Sequence, residues 1–371
     1  MDPLCVFCLN LACPARGQLN QGNLHIHSRK HLRYRCSVCR KTFTESAGTL
    51  FYRLHHPPEL VTRVVTLLAF GCPRQAIVAA FDLDERTVAS WQQRAGQHCQ
   101  AVQEKLVAVP RDLGHVQIDE IRVKRQGGIA WMGLALMVST RLWLGGVVGS
   151  HEASLTRALL AKVRACASAL CVGLLFCTDG WIAYVPQIRA VFREQVRGPF
   201  GGRPRLQEWP RIWIAQAIKQ SEQGKLLGIE RRVIQGSEAE IAGMLERTQG
   251  GKVINTAFIE RLNATFRQCL TNLARRSRAL ARKSETLEAG MNLVGTIYNF
   301  CCEHESLRLP GLIGGHKWLG RTPAMAAGIS EHRWSIKELL SYRVAPSRWQ
   351  PPKRRGGVSN ATKALIARWC Q

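Results

Sequence analysis

The stretch His115-Val116-Gln117-Ile118-Asp119-Glu120-Ile121-Arg122-Val123 decides how the rest of the chain is read. Val116, Ile118, Ile121 and Val123 are β-branched and fit the pleated surface of a short strand. Asp119 and Glu120 interrupt that strand with acid, although a buried strand rarely keeps a carboxylate without a partner cation. A second aspartate, Asp179, closes the apolar run Leu170-Cys171-Val172-Gly173-Leu174-Leu175-Phe176-Cys177-Thr178. A third acid, Glu260, sits in Ile254-Asn255-Thr256-Ala257-Phe258-Ile259-Glu260-Arg261-Leu262-Asn263, which reads as an amphipathic helix. Two strand-end aspartates and a helix glutamate, in that order, suit a pair of divalent ions and phosphodiester chemistry.

Size and charge agree with that chemistry. The 371 residues are enough for two or more domains. Against 52 Lys and Arg stand 26 Asp and Glu, a net charge of +26, which points to a polyanion partner, most simply nucleic acid. A membrane surface fits less well, because the cations are spread among folded-looking segments. A hydrophobic content of 46% is too high for a disordered basic tail. The first residues, Met1-Asp2-Pro3-Leu4-Cys5, lack the basic start and apolar middle of a secretory signal. Ile129 to Gly149 mimics a membrane span but carries Arg141 at its centre, so Ser139-Thr140-Arg141 reads as the turn of a hairpin between strands 129–138 and 142–149. A soluble, cytosolic protein with reduced thiols is expected, since the 14 cysteines lack the density of a disulfide framework.

Residues 1–50 are rich in Cys, His, Lys and Arg. Cys8-x4-Cys13 and Cys36-x2-Cys39 form two short knuckles able to give zinc four soft ligands, with Cys5-x2-Cys8 competing as the first pair. His25, His27 and His31 are spare nitrogen ligands that read better as surface or phosphate-contacting residues. Residues 57–98 predict three helices: 59–68 ending at Gly71, a short one from Pro73 to Phe81, and Glu85 to Arg94 behind the N-cap Asp84. Exposed Arg86 and Arg94 on the last of these give a helix-turn-helix pattern with a DNA-reading helix, against an ordinary three-helix bundle. Residues 99–114 read as a connection. A helix from His151 to Ser168 and the strand 170–177 follow the hairpin. Three strands, a helix and a fourth strand is the order of an RNase H-like fold, which holds aspartates in the first strand and just after the fourth. A helix to about Gln195, a loose basic region (Arg197, Arg203, Arg205) and strands 211–218 and 225–234 complete this part. The Glu260 helix leads into Arg267, Arg275, Arg276, Arg278, Arg282 and Lys283, cations placed to contact a DNA backbone. The expected organisation is thus multidomain α/β: 1–50, 57–98, a mixed-sheet domain over 115–300, and a helical, basic extension over 301–371. Its tail from 342, with Arg343, Arg348, Lys353, Arg354, Arg355, Lys363 and Arg368 and no acid, is either an ordered cap or a basic arm.

The array resembles bacterial insertion-sequence transposases of the DDE type, which carry a zinc ribbon and a helix-turn-helix before an RNase H-like catalytic domain. Cys8-Leu9-Asn10-Leu11-Ala12-Cys13-Pro14-Ala15-Arg16-Gly17 with Tyr34-Arg35-Cys36-Ser37-Val38-Cys39 is similar to the ribbon. Gln117-Ile118-Asp119-Glu120, Thr178-Asp179-Gly180-Trp181-Ile182-Ala183-Tyr184 and Asn255 to Asn263 with Arg267 resemble the three acidic blocks. Arg321-Thr322-Pro323-Ala324-Met325-Ala326-Ala327-Gly328 resembles the end of such enzymes. The likeness spans roughly 5–330, and the order and spacing of the blocks make it specific. The 81-residue separation of Asp179 and Glu260 fits an inserted hairpin.

The resemblance implies one structural Zn²⁺ on Cys8, Cys13, Cys36 and Cys39. It implies two Mg²⁺ (or Mn²⁺) ions on Asp119, Asp179 and Glu260, with Asp119 bridging them. Water would cut at the transposon end and the freed 3′-hydroxyl would attack target DNA. Arg86 and Arg94 would read bases, while Arg261, Arg267, Arg275, Arg276 and Arg278 would hold phosphates. Partners would be double-stranded end and target DNA and at least one further copy of the chain, in the bacterial nucleoid. Strand alternation points Glu120 to the face opposite Asp119, so it is expected to be a structural or DNA-proximal acid. The rival reading is a non-catalytic DNA-binding protein or repressor derived from such an enzyme.

Overall fold

A computed structural model describes residues 2–169, 172–197, 203–223, 225–274, 280–311, 317–351 and 358–370. The chain is mixed α/β and divides into two compact units, Met1–Pro58 with Leu340–Gln371, and Glu59–Leu339. Among the described residues no helix is long and apolar enough to cross a membrane.

In the first unit, strands β1 (Leu24–Ser28), β2 (Arg33–Cys36) and β3 (Thr42–Thr44) form an antiparallel sheet in the order β1-β2-β3. Its small core joins Val6, Ala15, Leu24 and Tyr34 to Cys8, Cys13 and Cys36. Trp369 enters the same core from the helix Asn360–Trp369, which Ser359 caps by accepting the N–H of Thr362. The buried Trp369 indole, which no periodicity in the tail announces, anchors the basic C-terminal segment together with hydrogen bonds from Arg16 to the Ser347 and Arg348 carbonyls.

The second unit opens with α1 (Pro58–Ala69), α2 (Arg74–Phe81) and α3 (Glu85–Leu106). Asp84 caps α3, taking the N–H groups of Arg86 and Thr87. The helix runs past Arg94 to Leu106 because the apolar spacing of Val88, Trp91 and Ala95 continues through Cys99 and Val102, all of them buried. The expected connection over 99–114 is thus half helix. α3 packs on α8 (Ser284–Phe300) so closely that a Cβ at Gly96 would lie 2.4 Å from the Ala289 Cα.

The sheet contains β4 (His115–Arg125), β5 (Gly128–Met137), β6 (Leu142–Gly149), β7 (Leu174–Thr178), β10 (Ile212–Glu222) and β11 (Lys225–Gln235) in the order β11-β10-β7-β4-β5-β6. β4, β5 and β6 form an antiparallel meander, and the apolar stretch around Arg141 is the expected hairpin. β7 lies parallel to both β4 and β10, and β11 closes the edge antiparallel. β8 (Arg193–Val196) and β9 (Arg205–Glu208) pair separately. That pairing ends α5 (Tyr184–Val191) earlier than the expected Gln195, with Phe192 buried at the junction. α4 (Ala153–Cys166) covers one face of the meander, where a Cβ at Gly133 would meet Leu159 at 3.1 Å. α7 (Ala257–Cys269) and α8 cover the other, packing Ile259, Leu262, Phe266 and Val294 against Ile121, Val123, Met132 and Leu134. α6 (Glu238–Arg247) was not expected, although Ser237 and Glu240 form a capping box at its start.

Candidate metal sites

Register fixes where the acids meet. β4 pairs with β7 only from His115 opposite Leu175 to Gln117 opposite Cys177. Beyond that point β7 ends at Thr178, and β4 continues with Asp119 and Glu120 past an open strand end. Asp179 follows directly, so carboxylate oxygens of Asp119, Glu120 and Asp179 lie within 4.8 Å of one another, a set able to hold a metal ion such as Mg²⁺. Alternation is obeyed. Asp119 pairs with Leu134 on the α7 face and Glu120 with Gly133 on the α4 face. Glu120 reaches the others because the β7 side of β4 is open at that level and its side chain is one methylene longer. Alternation alone sets Glu120 apart from Asp119, which is why Glu120 was not expected in the cluster.

Each acid is held. Asp119 accepts the N–H of Glu120 at 2.8 Å and the Asn263 amide of α7 at 2.8 Å. The Tyr184 hydroxyl, on α5, donates to Glu120 at 2.6 Å. Asp179 accepts the N–H of Trp181 at 2.9 Å, and the Gln216 amide of β10 donates to the Asp179 carbonyl at 3.0 Å. Burial pushes Asp119 up to about 6, with Asp179 and Glu260 adding to the rise. Burial pushes Glu120 up to about 7, opposed by the Tyr184 hydrogen bond and reinforced by Asp179 and Asp119. Such repulsion is what a divalent cation relieves. Asn263 Oδ1, beside Asp119, is buried without a hydrogen-bond partner.

Glu260 sits in the first turn of α7, the element whose next turn carries Asn263. Its Oε2 pairs with Lys219 Nζ of β10 at 2.7 Å, and its Oε1 accepts the Thr256 hydroxyl at 2.6 Å. It raises Asp119 electrostatically but stands outside the 4.8 Å cluster. Neither Lys219 nor Asn263 was singled out from sequence, although Asn263 lies one turn after Glu260 on the same face. Arg267, in the last turn of α7, lowers Asp119, whereas Arg261 lines a cavity of about 330 Å³ with Arg141, Phe258 and Tyr298. Arg86 is exposed in the first turn of α3 and Arg94 is half-buried two turns later. Arg275, Arg276 and Arg278 lie outside the described residues.

In the first unit, the sulfurs of Cys8, Cys13, Cys36 and Cys39 lie within 4.8 Å of one another. The Cys8–Cys39 and Cys13–Cys36 separations are 3.7 and 3.9 Å. Sulfurs at the corners of a tetrahedron around zinc, with bonds of about 2.3 Å, stand roughly 3.8 Å apart. The four cysteines are compatible with a zinc site. Burial pushes Cys13 up to about 12 and raises Cys8 further, so without a cation Cys8 and Cys13 keep their protons. Cys5 is exposed and bonds Asp2 instead. No protein-family model matches the sequence, and a search of curated proteins returned no match.

Proposed function

We infer that the chain is a DDE-type transposase that binds the ends of an insertion sequence, cuts DNA and joins it to a target. The observation that carries this reading is the meeting of Asp119 and Asp179 at the open end of β7, with Glu260 on the helix beside them. The strand order β11-β10-β7-β4-β5-β6, with helices on both faces, supports an RNase H-like domain. The clustered cysteines support a zinc ribbon with one structural Zn²⁺. α2 and α3, joined by a short turn and presenting Arg86, support a helix-turn-helix.

Two Mg²⁺ or Mn²⁺ ions, held by Asp119, Asp179, Glu120 and a Glu260 released from Lys219, would polarise the phosphoryl oxygens and lower the pKa of the attacking hydroxyl. The chain's own groups do the rest. Asn263 and the Glu120 N–H engage both oxygens of Asp119 and so fix the orientation of its carboxylate. Tyr184 fixes Glu120 from the opposite face. Lys219, freed of Glu260, stands ready to pair with a phosphate oxygen, and Arg267 adds positive charge on the α7 side. Joining two ends requires at least two copies of the chain on DNA.

The Lys219–Glu260 ion pair favours a second reading, a non-catalytic DNA-binding protein in which Glu260 is permanently engaged. Full-length protein with Mg²⁺, duplexes from the borders of its own gene and pre-cut 3′-hydroxyl ends separates the two. Nicking and joining, both lost in Asp119→Asn with end binding kept, are expected; end binding without nicking would establish the second reading.

A further inference from the structure

Ile182 is the most exposed large apolar side chain among the described residues, at 81%. It stands three residues after Asp179, in the turn that leads into α5. Three residues span at most about 11 Å, or roughly three base steps at 3.4 Å each. Whatever Ile182 touches on a nucleic acid bound at the acids is therefore close to the reacting phosphate.

The turn that carries it is braced on every side. Asp179 takes the Trp181 N–H, the Tyr184 N–H bonds the Trp181 carbonyl at 3.2 Å, and the Tyr184 ring is fully buried. The Trp181 indole stacks on His151, with centroids 3.9 Å apart and planes at 21°. His151 in turn stacks on Trp131 of β5, at 4.0 Å and 14°. Three stacked rings thus run from the sheet to the residue before Ile182. An isoleucine on so rigid a support does not fold back to hide its side chain. Trp131 pairs with the exposed Arg122 across β4 and β5, which sets a cation beside the stack for the adjoining phosphate.

We propose that Ile182 is a wedge that enters a base step of double-stranded DNA next to the phosphate at the acid cluster, unstacking it and kinking the duplex. Apolar side chains of this size do so when a rigid backbone presents them and cations hold the flanking strands. The chain's net charge of +26 makes DNA the occupant in preference to a second, equally basic copy. The kink would open the strand around its phosphate and turn that phosphate toward the half-buried Asp119 and Asp179. This proposal rests on the DNA-cutting reading above.

The test uses the full chain with Ca²⁺ in place of Mg²⁺ and a short duplex, either fully paired or carrying one mismatched base pair flanked by 2-aminopurine. A wedge spends less on a step that is already loosened, so the unaltered chain should bind the mismatched duplex roughly tenfold more tightly than the paired one. The 2-aminopurine should brighten on binding. Ile182→Ser should bring both duplexes to about equal affinity without brightening, at unchanged melting temperature. Ile182→Met, which keeps an apolar wedge, should retain both signals. Persistence of preference and brightening in Ile182→Ser would overturn the wedge while leaving the enzymatic reading intact. So would an Ile182→Ser chain that loses self-association in sedimentation yet treats DNA as before, since the occupant would then be a second copy. Failure of the unaltered chain to bind either duplex at low salt would remove the DNA reading and the wedge with it.

Discussion

Replacing Gln117 by methionine should unseat α7 without touching a single acid. Gln117 is fully buried on β4, and its Oε1 accepts the N–H groups of Phe258 and Ile259 at 3.1 and 3.0 Å. These are among the first N–H groups of α7, which no preceding turn can satisfy. The N-cap residue, Thr256, gives its hydroxyl to Glu260 instead of capping. A strand side chain therefore does the capping across 141 positions of sequence. Methionine has similar volume but no acceptor, leaving two N–H groups unpaired at about 1–3 kcal/mol each, or about 4 kcal/mol together. The Asn255 oxygens that lose the Gln117 amide are half-exposed and can turn to water, so they add little. At about 2–4 °C per kcal/mol for a domain of this class, the calorimetric transition of the second unit should fall by roughly 10 °C. Mn²⁺ affinity should drop with it, because Glu260 and Asn263 ride on α7. A transition within about 2 °C of the unaltered chain would refute the capping role.

Three further outcomes follow from the two sites. Cys39→Ser should abolish stoichiometric zinc, read by elemental analysis, and lower the melting of the first unit, whose core is small. In metal-free protein the raised Asp119 and Glu120 bind protons that the unfolded chain has already lost. Stability should therefore fall as pH rises from about 4 to about 7, by roughly 3 kcal/mol for Asp119 alone. Added Mg²⁺ should flatten that slope, and a pH-independent denaturation midpoint without metal would contradict it. Lys219→Met should free Glu260 and tighten Mn²⁺ binding in calorimetric titration by up to about fivefold, the size of a half-exposed ion pair; unchanged or weaker binding would mean that Glu260 stays apart.

The strands of the six-stranded sheet were legible because their apolar runs are bounded by acid or by turn residues, whereas β8 and β9 lie in a stretch that reads as a helix end and a loose basic region. β4 and the β5–β6 hairpin followed from residues 115–149 almost to the residue. Asp119 and Asp179 were legible as carboxylates set within one apolar run and directly after another. What sequence hid depends on neighbours distant in the chain. Glu120 joins the cluster only because β7 stops pairing at Cys177. The Lys219 pair depends on which edge of β10 faces α7, and Trp369 finds its core across more than 300 residues. The reading that ends α3 at Arg94 overlooks an apolar stripe that continues through Cys99 and Val102.

The most direct test of the account is an anomalous difference map from crystals of the full chain soaked in Mn²⁺. Scatterers are expected between Asp119 and Asp179, about 3.5–4 Å apart if both ions bind, with Glu260 turned from Lys219 toward one of them. A map without manganese at Asp119 and Asp179, at millimolar Mn²⁺, would contradict the proposed site.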